Sequence, residues 1–212
     1  MPGMTGWSSL HEIGKPKKGE TIFISSAAGA VGAVVGQIAK REGLKVIGSV
    51  GSDEKLEFIT KELGFDGGFN YKKERTKDAL NRLAPEGLDI YYENVGGEQL
   101  ADALDAMKDF GRIVACGMIS QYNLHAEDRY GVKNMFLVVT KRLTMRGFIV
   151  SDPGFWDKYA QEHQEKMQEW LADGSIKAKL SVTEGIDNAA EGLIALFEGK
   201  NFGKAVLKIK DE

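Results

Sequence analysis

The sequence predicts an α/β fold: a doubly wound parallel sheet with helices on both faces. Apolar, strand-like runs alternate with segments of helical periodicity over most of the 212 residues. The first apolar run, residues 22–26, passes directly into a glycine-rich turn and then into a helical segment. With 42% apolar and 28% charged residues, the composition is that of a globular chain, and the length fits one domain.

The elements follow one another in regular alternation up to residue 150. β-Branched and aromatic apolar runs predict strands at Thr21 to Ala27, Lys45 to Val50, Gly68 to Asn70, Asp89 to Val95, Arg112 to Gly117 and Leu143 to Val150. Apolar residues at helical spacing predict helices at Ala30 to Arg41, Asp53 to Leu63, Glu74 to Leu83, Gln99 to Met107 and Tyr130 to Thr140. Beyond this point the pattern predicts a helix at Trp156 to Ala172, a strand near Lys179 to Thr183, a helix at Asp187 to Glu198 and a strand at Lys204 to Ile209.

The glycine-rich turn has the spacing that a dinucleotide pyrophosphate needs. Ala27, Gly29 and Gly32 form an Ala-x-Gly-x-x-Gly pattern between the first strand and the first helix. Glycine lets backbone N–H groups approach phosphate oxygens, and the helix that follows directs its positive end at the anion. Taken alone, the pattern also fits an ordinary strand-to-helix turn with incidental glycines.

The tip of the second strand indicates which dinucleotide is bound. NAD sites place Asp or Glu about 20 residues after the glycine turn to hold the ribose 2′-hydroxyl. Here Asp53 and Glu54 fall in the first turn of the next helix, where their charge complements the helix dipole. Ser52 and Lys55 leave space and a cation for a 2′-phosphate, which a carboxylate would repel, so NADPH is favoured over NADH. The alternative for Lys55 is a solvated helix lysine.

Composition limits the partners. A net charge of −3 without a basic stripe gives no reason to expect nucleic acid. Cys116 is the single cysteine, which excludes an intrachain disulfide and suits a reducing, cytoplasmic compartment. We expect Cys116 to be a small buried side chain rather than a nucleophile, and His125 to be an exposed loop residue rather than a proton relay. One cysteine and three histidines predict no metal site, and no apolar run reaches membrane-spanning length.

Seven strings, in order along the chain, carry a resemblance to a known family. They are Met1-Pro2-Gly3-Met4-Thr5, Ala27-Ala28-Gly29-Ala30-Val31-Gly32, Gly51-Ser52-Asp53-Glu54-Lys55, Phe69-Asn70-Tyr71, Glu93-Asn94-Val95-Gly96-Gly97, Cys116-Gly117-Met118-Ile119-Ser120-Gln121-Tyr122-Asn123 and Gly199-Lys200-Asn201-Phe202-Gly203-Lys204. The chain resembles, over essentially its whole length, the zinc-independent medium-chain dehydrogenases/reductases. Within them it is similar to the alkenal or one double-bond reductases and the prostaglandin reductases (leukotriene B4 12-hydroxydehydrogenases).

The resemblance implies a Rossmann domain that binds NADP(H). It also implies hydride transfer from NADPH to the β-carbon of a small α,β-unsaturated aldehyde or ketone, an enal or enone. The implied cofactor-binding residues are Gly29, Ala30, Val31 and Gly32 at the pyrophosphate, Ser52, Lys55 and Tyr71 at the 2′-phosphate end, and Asn94, Cys116, Gly117, Met118, Ile119, Ser120, Tyr122, Phe148, Ile149, Val150 and Asn201 toward the nicotinamide. Structural alternatives stay open for a half-buried Tyr71 and for turn residues Asn94 and Asn201.

The family's tyrosine, which polarises the substrate carbonyl, aligns with Thr140. A threonine donates a shorter-reaching hydrogen bond and cannot stack on an enal. The role of hydrogen-bond donor is therefore expected at Thr140, or at Tyr122 or Tyr130.

Relatives carry a further GroES-like β-barrel domain before the position of Met1, and it forms the other wall of the substrate cleft. We therefore expect residues 1–212 to be the NADP-binding domain, with its core sheet over about 15–150. Residues 151–212 are expected to pack partly on the GroES-like domain in relatives. The edge strand Leu143 to Val150 pairs across a two-fold axis in relatives, which predicts a homodimer. An impaired reductase, a non-catalytic NADPH-binding module and an NADPH:quinone reductase stay open.

Overall fold

The structure, a computed structural model, describes residues 1–210, so residues 211 and 212 of the predicted domain lie outside the described residues. The helices are α1 Pro2–Ser9, α2 Gly32–Arg41, α3 Asp53–Glu57, α4 Thr76–Leu83, α5 Gly97–Ala106, α6 Leu137–Thr140, α7 Trp156–Ala172 and α8 Ala189–Phe197. The strands are β1 Thr21–Ile24, β2 Lys45–Val50, β3 Gly67–Asn70, β4 Leu88–Glu93, β5 Met107–Ala115, β6 Thr144–Gly147, β7 Leu180–Glu184 and β8 Lys204–Lys208. π-Helical turns occupy Leu10–Gly14 and Phe58–Glu62, and 3₁₀ turns occupy Ile119–Gln121, Ala126–Asp128 and Ile186–Asn188.

Six strands form one parallel sheet in the order β3-β2-β1-β4-β5-β6. The order reverses between β1 and β4, so the crossovers on the two sides of β1 place helices on opposite faces. The predicted fold class is therefore confirmed: the chain is a doubly wound α/β domain of the Rossmann type.

The core consists of two apolar clusters, one on each face of the sheet. Ile22 and Ile24 of β1 belong to one cluster, whereas Phe23, between them, belongs to the other. The same alternation places Tyr92 in the first cluster and Tyr91 in the second. Since successive side chains of a strand point to opposite faces, strands covered by helices on both sides are apolar at every position.

The N-terminal helix α1 was not predicted. Met4, Trp7 and Leu10 are buried at helical spacing on its inner face, and α1 packs on α2 and α7. Gly3 and Gly6 interrupt this short apolar pattern and are weak helix formers, so tertiary packing rather than propensity makes the helix.

Several predicted elements have the wrong extent: the strand predicted to reach Ala27 ends at Ile24, and the strand predicted from Arg112 begins at Met107. The helix predicted over Tyr130 to Thr140 is helical only at Leu137–Thr140, because the Asn134 amide instead donates to the Ala101 carbonyl of α5 at 2.8 Å and holds the preceding residues in turns. The edge strand predicted over Leu143 to Val150 is paired only at Thr144–Gly147, because β5, its partner, ends at Ala115.

The C-terminal residues form a small unit against the open edge of the glycine turn. β7 and β8 pair in parallel as a separate two-stranded sheet, and α8 connects them. The N–H of Gly203 donates to the carbonyl of Ala28 at 3.0 Å, and Gly29 bridges to Gly203. These contacts place the C-terminal unit beside the carboxyl edge of the main sheet.

Candidate functional site

A cleft lies across the carboxyl edge of the six-stranded sheet. It is bordered by residues that follow β1, β2, β3 and β4, and the segment from α8 to β8 closes its other side. The cleft encloses about 730 Å³, which is in the range of cofactor sites. It lies at the point where the strand order reverses, which is where open α/β sheets bind ligands.

The turn after β1 brings backbone rather than side chains to the cleft. The N–H of Gly29 donates to the Ser26 carbonyl at 2.9 Å, and Ser26 itself has a φ of 53°. A Cβ atom at Gly32 would lie only 2.5 Å from the Ser26 carbonyl oxygen, so the turn requires glycine there. Because α2 begins at Gly32, the N–H groups that every helix leaves unpaired in its first turn lie at this edge of the cleft. Gly29, Ala30, Val31 and Gly32 all line it.

The end of the cleft beside β2 and β3 carries two lysines and a tyrosine, Lys55, Tyr71 and Lys72, which we call the lysine rim. The Lys55 ammonium donates to the Gly199 carbonyl at 2.7 Å. Burial, and then the charge of Lys72, lower the pKa of Lys55 from its usual value. The Tyr71 hydroxyl packs on Gly51, where a Cβ would come within 3.2 Å of it. The rim therefore concentrates positive charge where an anion would relieve the repulsion between the two lysines.

The acidic residues beside this rim are held away from it. Asp53 accepts a hydrogen bond from Asn70 at 2.9 Å and forms an ion pair with Lys73, and these contacts lower the pKa of the Asp53 carboxyl. Ser52 caps α3, since its hydroxyl accepts the Lys55 N–H at 3.2 Å. Within residues 1–210, neither Asp53 nor Ser52 is among the residues that line the cleft.

The far end of the cleft is formed by the turns after β4 and β5. The Asn94 side-chain amide donates to the Ser25 carbonyl at 2.8 Å, and the Asn94 carbonyl accepts the N–H of Ile119 at 3.1 Å. The Tyr122 hydroxyl accepts the N–H of Met118 at 2.9 Å, and its ring is 57% exposed. The lining here includes Asn94, Val95, Ile119, Ser120 and Tyr122.

Several other predicted cofactor residues are not among the described residues that line the cleft: Cys116, Gly117, Met118, Phe148, Ile149 and Val150. Cys116 is half-buried against the first core cluster, and burial raises the pKa of its thiol. Phe148 stacks on Phe155 with ring centroids 5.1 Å apart. Their contact with a cofactor stays a prediction.

Thr140 lies at the opposite edge of the sheet from the cleft. It ends α6, four residues before β6 begins, and β6 runs parallel to β5. The next residue, Lys141, donates to the carbonyls of Asp105 and Met107, which lie where β5 starts. Within one chain, the structure thus brings Tyr122, but not Thr140, to the cleft.

The C-terminal wall of the cleft was missed, apart from Asn201. Its apolar residues come from α8 and β8, and β7 contributes Thr183. Glu198, also in the lining, pairs with Lys200 at 2.6 Å. The pattern gave no signal that this unit folds back over the glycine turn. Lys72 was also missed, although its place directly after Tyr71 was a usable signal. The wall residues not predicted are Thr183, Ala189, Gly192, Leu193, Leu196, Phe197, Glu198, Gly199, Gly203, Lys204, Ala205, Val206 and Leu207.

Residues 1–210 contain no group of three or more His, Cys, Asp or Glu side chains that could hold a metal ion. His11 instead pairs with Glu42 at 2.5 Å and contacts the Trp7 carbonyl at 2.7 Å. Among the described helices, none is both long enough and apolar enough to cross a membrane.

Comparison with known proteins gives a consistent set of relatives. Residues 30–168 match the family described as zinc-binding dehydrogenase. An NADP-dependent oxidoreductase of Cochliobolus heterostrophus is 61% identical over 211 residues, which cover 100% of this chain and 60% of that protein. The NADP(+)-dependent 2-alkenal reductase of Nicotiana tabacum is 46% identical over 213 residues, covering 100% of this chain and 61% of the relative.

The crystal structure of CurA from Vibrio vulnificus in complex with NADPH has the same fold. It superimposes with a TM-score of 0.93 at 37% identity, covering 100% of this chain and 63% of that one. The chain thus spans about 60% of the length of the curated relatives that it matches.

Proposed function

This chain belongs to the zinc-binding dehydrogenase family, and on that premise we propose that its cleft binds NADP(H) for the reduction of enals or enones. One observation carries the proposal: the glycine turn at the start of α2 and the lysine rim line the same cleft, the turn after β1 and the rim beside β2 and β3. A dinucleotide phosphate has anionic groups at a matching pair of places, the pyrophosphate and the 2′-phosphate. The names of the tobacco relative and of the Vibrio complex support the same cofactor.

The residues present fit such a cofactor. At the glycine turn, the Ser26 carbonyl oxygen lies so close to Gly32 that no Cβ would fit there. Backbone atoms rather than side chains would therefore face the pyrophosphate. At the lysine rim, Lys55, Lys72 and the Tyr71 hydroxyl would bind the 2′-phosphate. The nearby Asp53 carboxylate is already bound by the Asn70 amide and the Lys73 ammonium. These residues favour NADPH over NADH, because the extra phosphate gains two cations and the neighbouring Asp53 is already paired with Lys73.

The reaction we propose is conjugate reduction. Bound NADPH supplies the hydride, which goes to the β-carbon of the enal or enone. The chain's own residues must hold the substrate carbonyl while negative charge develops on its oxygen. We assign this role to Tyr122, because its hydroxyl accepts the Met118 N–H and its own O–H stays available to donate to an oxygen in the cleft. Protonation at the α-carbon completes the reduction.

Zinc has no part in this proposal. Although the family description mentions zinc, the described part of the chain offers no cluster of metal-ligating side chains, and His11, in the π-helical turn Leu10–Gly14, is paired with Glu42. The polarising groups are therefore hydrogen-bond donors.

We also propose a homodimer through the edge of β6. Within the described residues β6 pairs with β5 on one side only, and the residues around it include exposed apolar side chains. Val139 is 77% exposed and Phe136 is 63% exposed, which is high for large apolar groups on one surface. An edge strand beside such a patch is suited to pairing with a second copy.

Residues 151–212 are proposed to form the part of the domain that packs on a GroES-like domain. Leu180, Val182, Leu193 and Ile194 in this part are each exposed by half or more. Exposed apolar side chains of this kind suit contact with another domain.

Turnover with matched acceptors tests the reaction. The purified chain is mixed with NADPH, and absorbance at the reduced-nicotinamide band is followed with but-2-enal, with 1,4-benzoquinone or with neither. We expect decay with the enal that exceeds both other traces. Decay with the quinone alone would identify a quinone reductase. NADPH binding without decay would contradict a reductase and favour a non-catalytic cofactor-binding module.

A further inference from the structure

Glu93, the last residue of β4, is a fully buried carboxyl that the proposed reaction does not use. It does not line the cleft within the described residues. One of its oxygens, Oε1, accepts three hydrogen bonds: from the Ser25 hydroxyl at 3.0 Å, the Val95 N–H at 2.5 Å and the Gly96 N–H at 2.9 Å. A single buried oxygen thus holds the turn after β4 to the turn after β1.

The backbone of Glu93 extends the same network to a third turn. Its carbonyl accepts the N–H of Cys116 at 2.9 Å and the N–H of Gly117 at 3.1 Å. Both of these belong to the segment that leads from β5 to Tyr122. The turns after β4 and β5 form the far end of the cleft and the turn after β1 adjoins them, and Glu93 contacts all three turns.

Ser25 connects Glu93 to Asn94, which does line the cleft. The Ser25 hydroxyl has two acceptors in reach, Glu93 Oε1 at 3.0 Å and the Tyr92 carbonyl at 3.4 Å, and the shorter contact to a carboxyl is the stronger. With its proton directed to Glu93, the hydroxyl oxygen accepts the Asn94 N–H at 2.8 Å. The Asn94 side-chain amide then donates to the Ser25 carbonyl at 2.8 Å.

The geometry points to Glu93 as a positioning residue: through Ser25 and the N–H groups of residues 95 and 96 it fixes Asn94 and the adjoining turns in the conformation that receives the cofactor. This inference rests on the proposed NADP(H) site. Every contact made by Oε1 requires an acceptor rather than a negative charge. The role should therefore be kept by glutamine, which has the same shape and the same acceptor oxygen.

The second carboxyl oxygen supports this interpretation. Glu93 Oε2 is buried beside the Tyr91 hydroxyl, which is buried as well. Burial raises the pKa of Glu93, against the opposing effect of the Gly96 and Val95 N–H groups. Burial disfavours a negative charge at Glu93, and the acceptor role of Oε1 does not depend on one.

The test compares Glu93→Gln, Glu93→Ala and a matched core variant, Leu80→Ala, which removes a buried side chain in the second cluster away from the three turns. Amide hydrogen exchange is measured on the ligand-free chains. We expect the N–H groups of Asn94, Val95 and Gly96 to exchange about tenfold faster in Glu93→Ala, relative to β1 in the same chain, and to stay within about threefold in Glu93→Gln and Leu80→Ala.

NADPH titration of the same chains gives the second measurement. The expected rise in Kd is about tenfold for Glu93→Ala and under about threefold for Glu93→Gln. If Glu93→Ala does not fold, Ser25→Ala takes its place, with faster exchange of the Asn94 N–H expected. The inference is overturned if glutamine behaves like alanine, or if alanine leaves both exchange and Kd unchanged. If the wild-type chain binds no NADPH but Glu93→Ala still alters the amide exchange, the proposed function is refuted. The role of Glu93 in positioning the turns would then still hold.

Discussion

The ammonium of Lys55 and the carbonyl of Gly199, 144 residues apart in sequence, are joined by a 2.7 Å hydrogen bond across the mouth of the cleft. The contact connects the helix after β2 with the C-terminal unit. It also keeps a half-buried cation at the rim, where Lys72 adds a second positive charge. The cofactor preference proposed for this chain depends on that arrangement.

Reversing the charge at Lys55 should separate the two nicotinamide cofactors. Lys55→Glu is expected to raise the Kd for NADPH about 100-fold and the Kd for NADH less than about threefold, because only NADPH carries the 2′-phosphate that the new carboxylate repels. Calorimetric titration with both cofactors measures this. Lys61→Glu, which changes an exposed lysine six residues further along, is the matched control. Equal losses for NADPH and NADH would contradict the assignment of the rim.

Adding one methyl group at the glycine turn should abolish the pyrophosphate site. In Gly32→Ala the new Cβ would approach the Ser26 carbonyl to 2.5 Å, so the turn must move, at a cost of about 1–3 kcal/mol in the free energy of unfolding. Kd for both cofactors should rise by at least about tenfold. Gly131→Ala is the control, since no described atom lies within 4 Å of its Cβ position. Normal binding by Gly32→Ala would show that the cofactor does not use this turn.

Tyr122→Phe tests the proposed hydrogen-bond donor. We expect kcat for but-2-enal to fall about tenfold or more, with the NADPH Kd changed by less than about threefold, because the hydroxyl acts on the substrate oxygen. Tyr130→Phe is the comparison, and it should leave kcat near wild type. An unchanged kcat in Tyr122→Phe, together with a loss in Tyr130→Phe, would transfer the role to Tyr130.

His11 and Glu42 should make stability depend on pH. Burial lowers the pKa of His11, but the hydrogen bond and charge of Glu42, with the Trp7 carbonyl, bring it above its ordinary value of 6.5. Because the pKa of His11 is higher in the folded than in the unfolded state, protonated His11 stabilises the fold. This stabilisation is complete when the pH is below the unfolded-state pKa, and it is lost as the pH rises through the folded-state pKa. Urea unfolding from pH 5.5 to 8.5 should therefore give a larger free energy of unfolding for wild type than for Glu42→Gln at the acid end. The two free energies should converge at the alkaline end. Parallel curves would refute the coupling.

The apolar patch beside β6 predicts self-association. Sedimentation of the wild-type chain is expected to give a dimer, and Val139→Glu should shift it to a monomer, because a charge would be buried in the interface. Lys133→Glu, a charge reversal in the turns before α6, should leave the dimer intact. A monomeric wild type at about 100 μM would contradict the edge-strand dimer.

The sequence was sufficient for the elements that local pattern determines. The apolar run at residues 22–26, the glycine spacing at Gly29 and Gly32, and the alternation of strands and helices led directly to the parallel sheet. It was insufficient where packing overrides pattern. α1 forms around buried Trp7 despite two glycines, and residues before Leu137 turn because Asn134 bonds to α5.

The same division holds for the site. Lys55, Tyr71 and Asn94 reach the cleft because each follows a strand of the sheet, and strand ends share one edge. The C-terminal wall depends instead on a contact between Gly203 and Ala28, residues that no local pattern relates. Thr140 aligns with a family tyrosine, but strand direction places it at the opposite edge within one chain. Glu93, hidden beneath the cleft, is visible only through its hydrogen bonds.

Titration of the wild-type chain with NADPH, run beside NADH in the same calorimeter, tests the central claim most directly. The claim is that the glycine turn and the lysine rim together form a site for NADP(H). We expect saturable binding of NADPH with one site per chain and a Kd at least about tenfold below that for NADH. Binding of NADH that equals or exceeds binding of NADPH, or binding of neither, would contradict it.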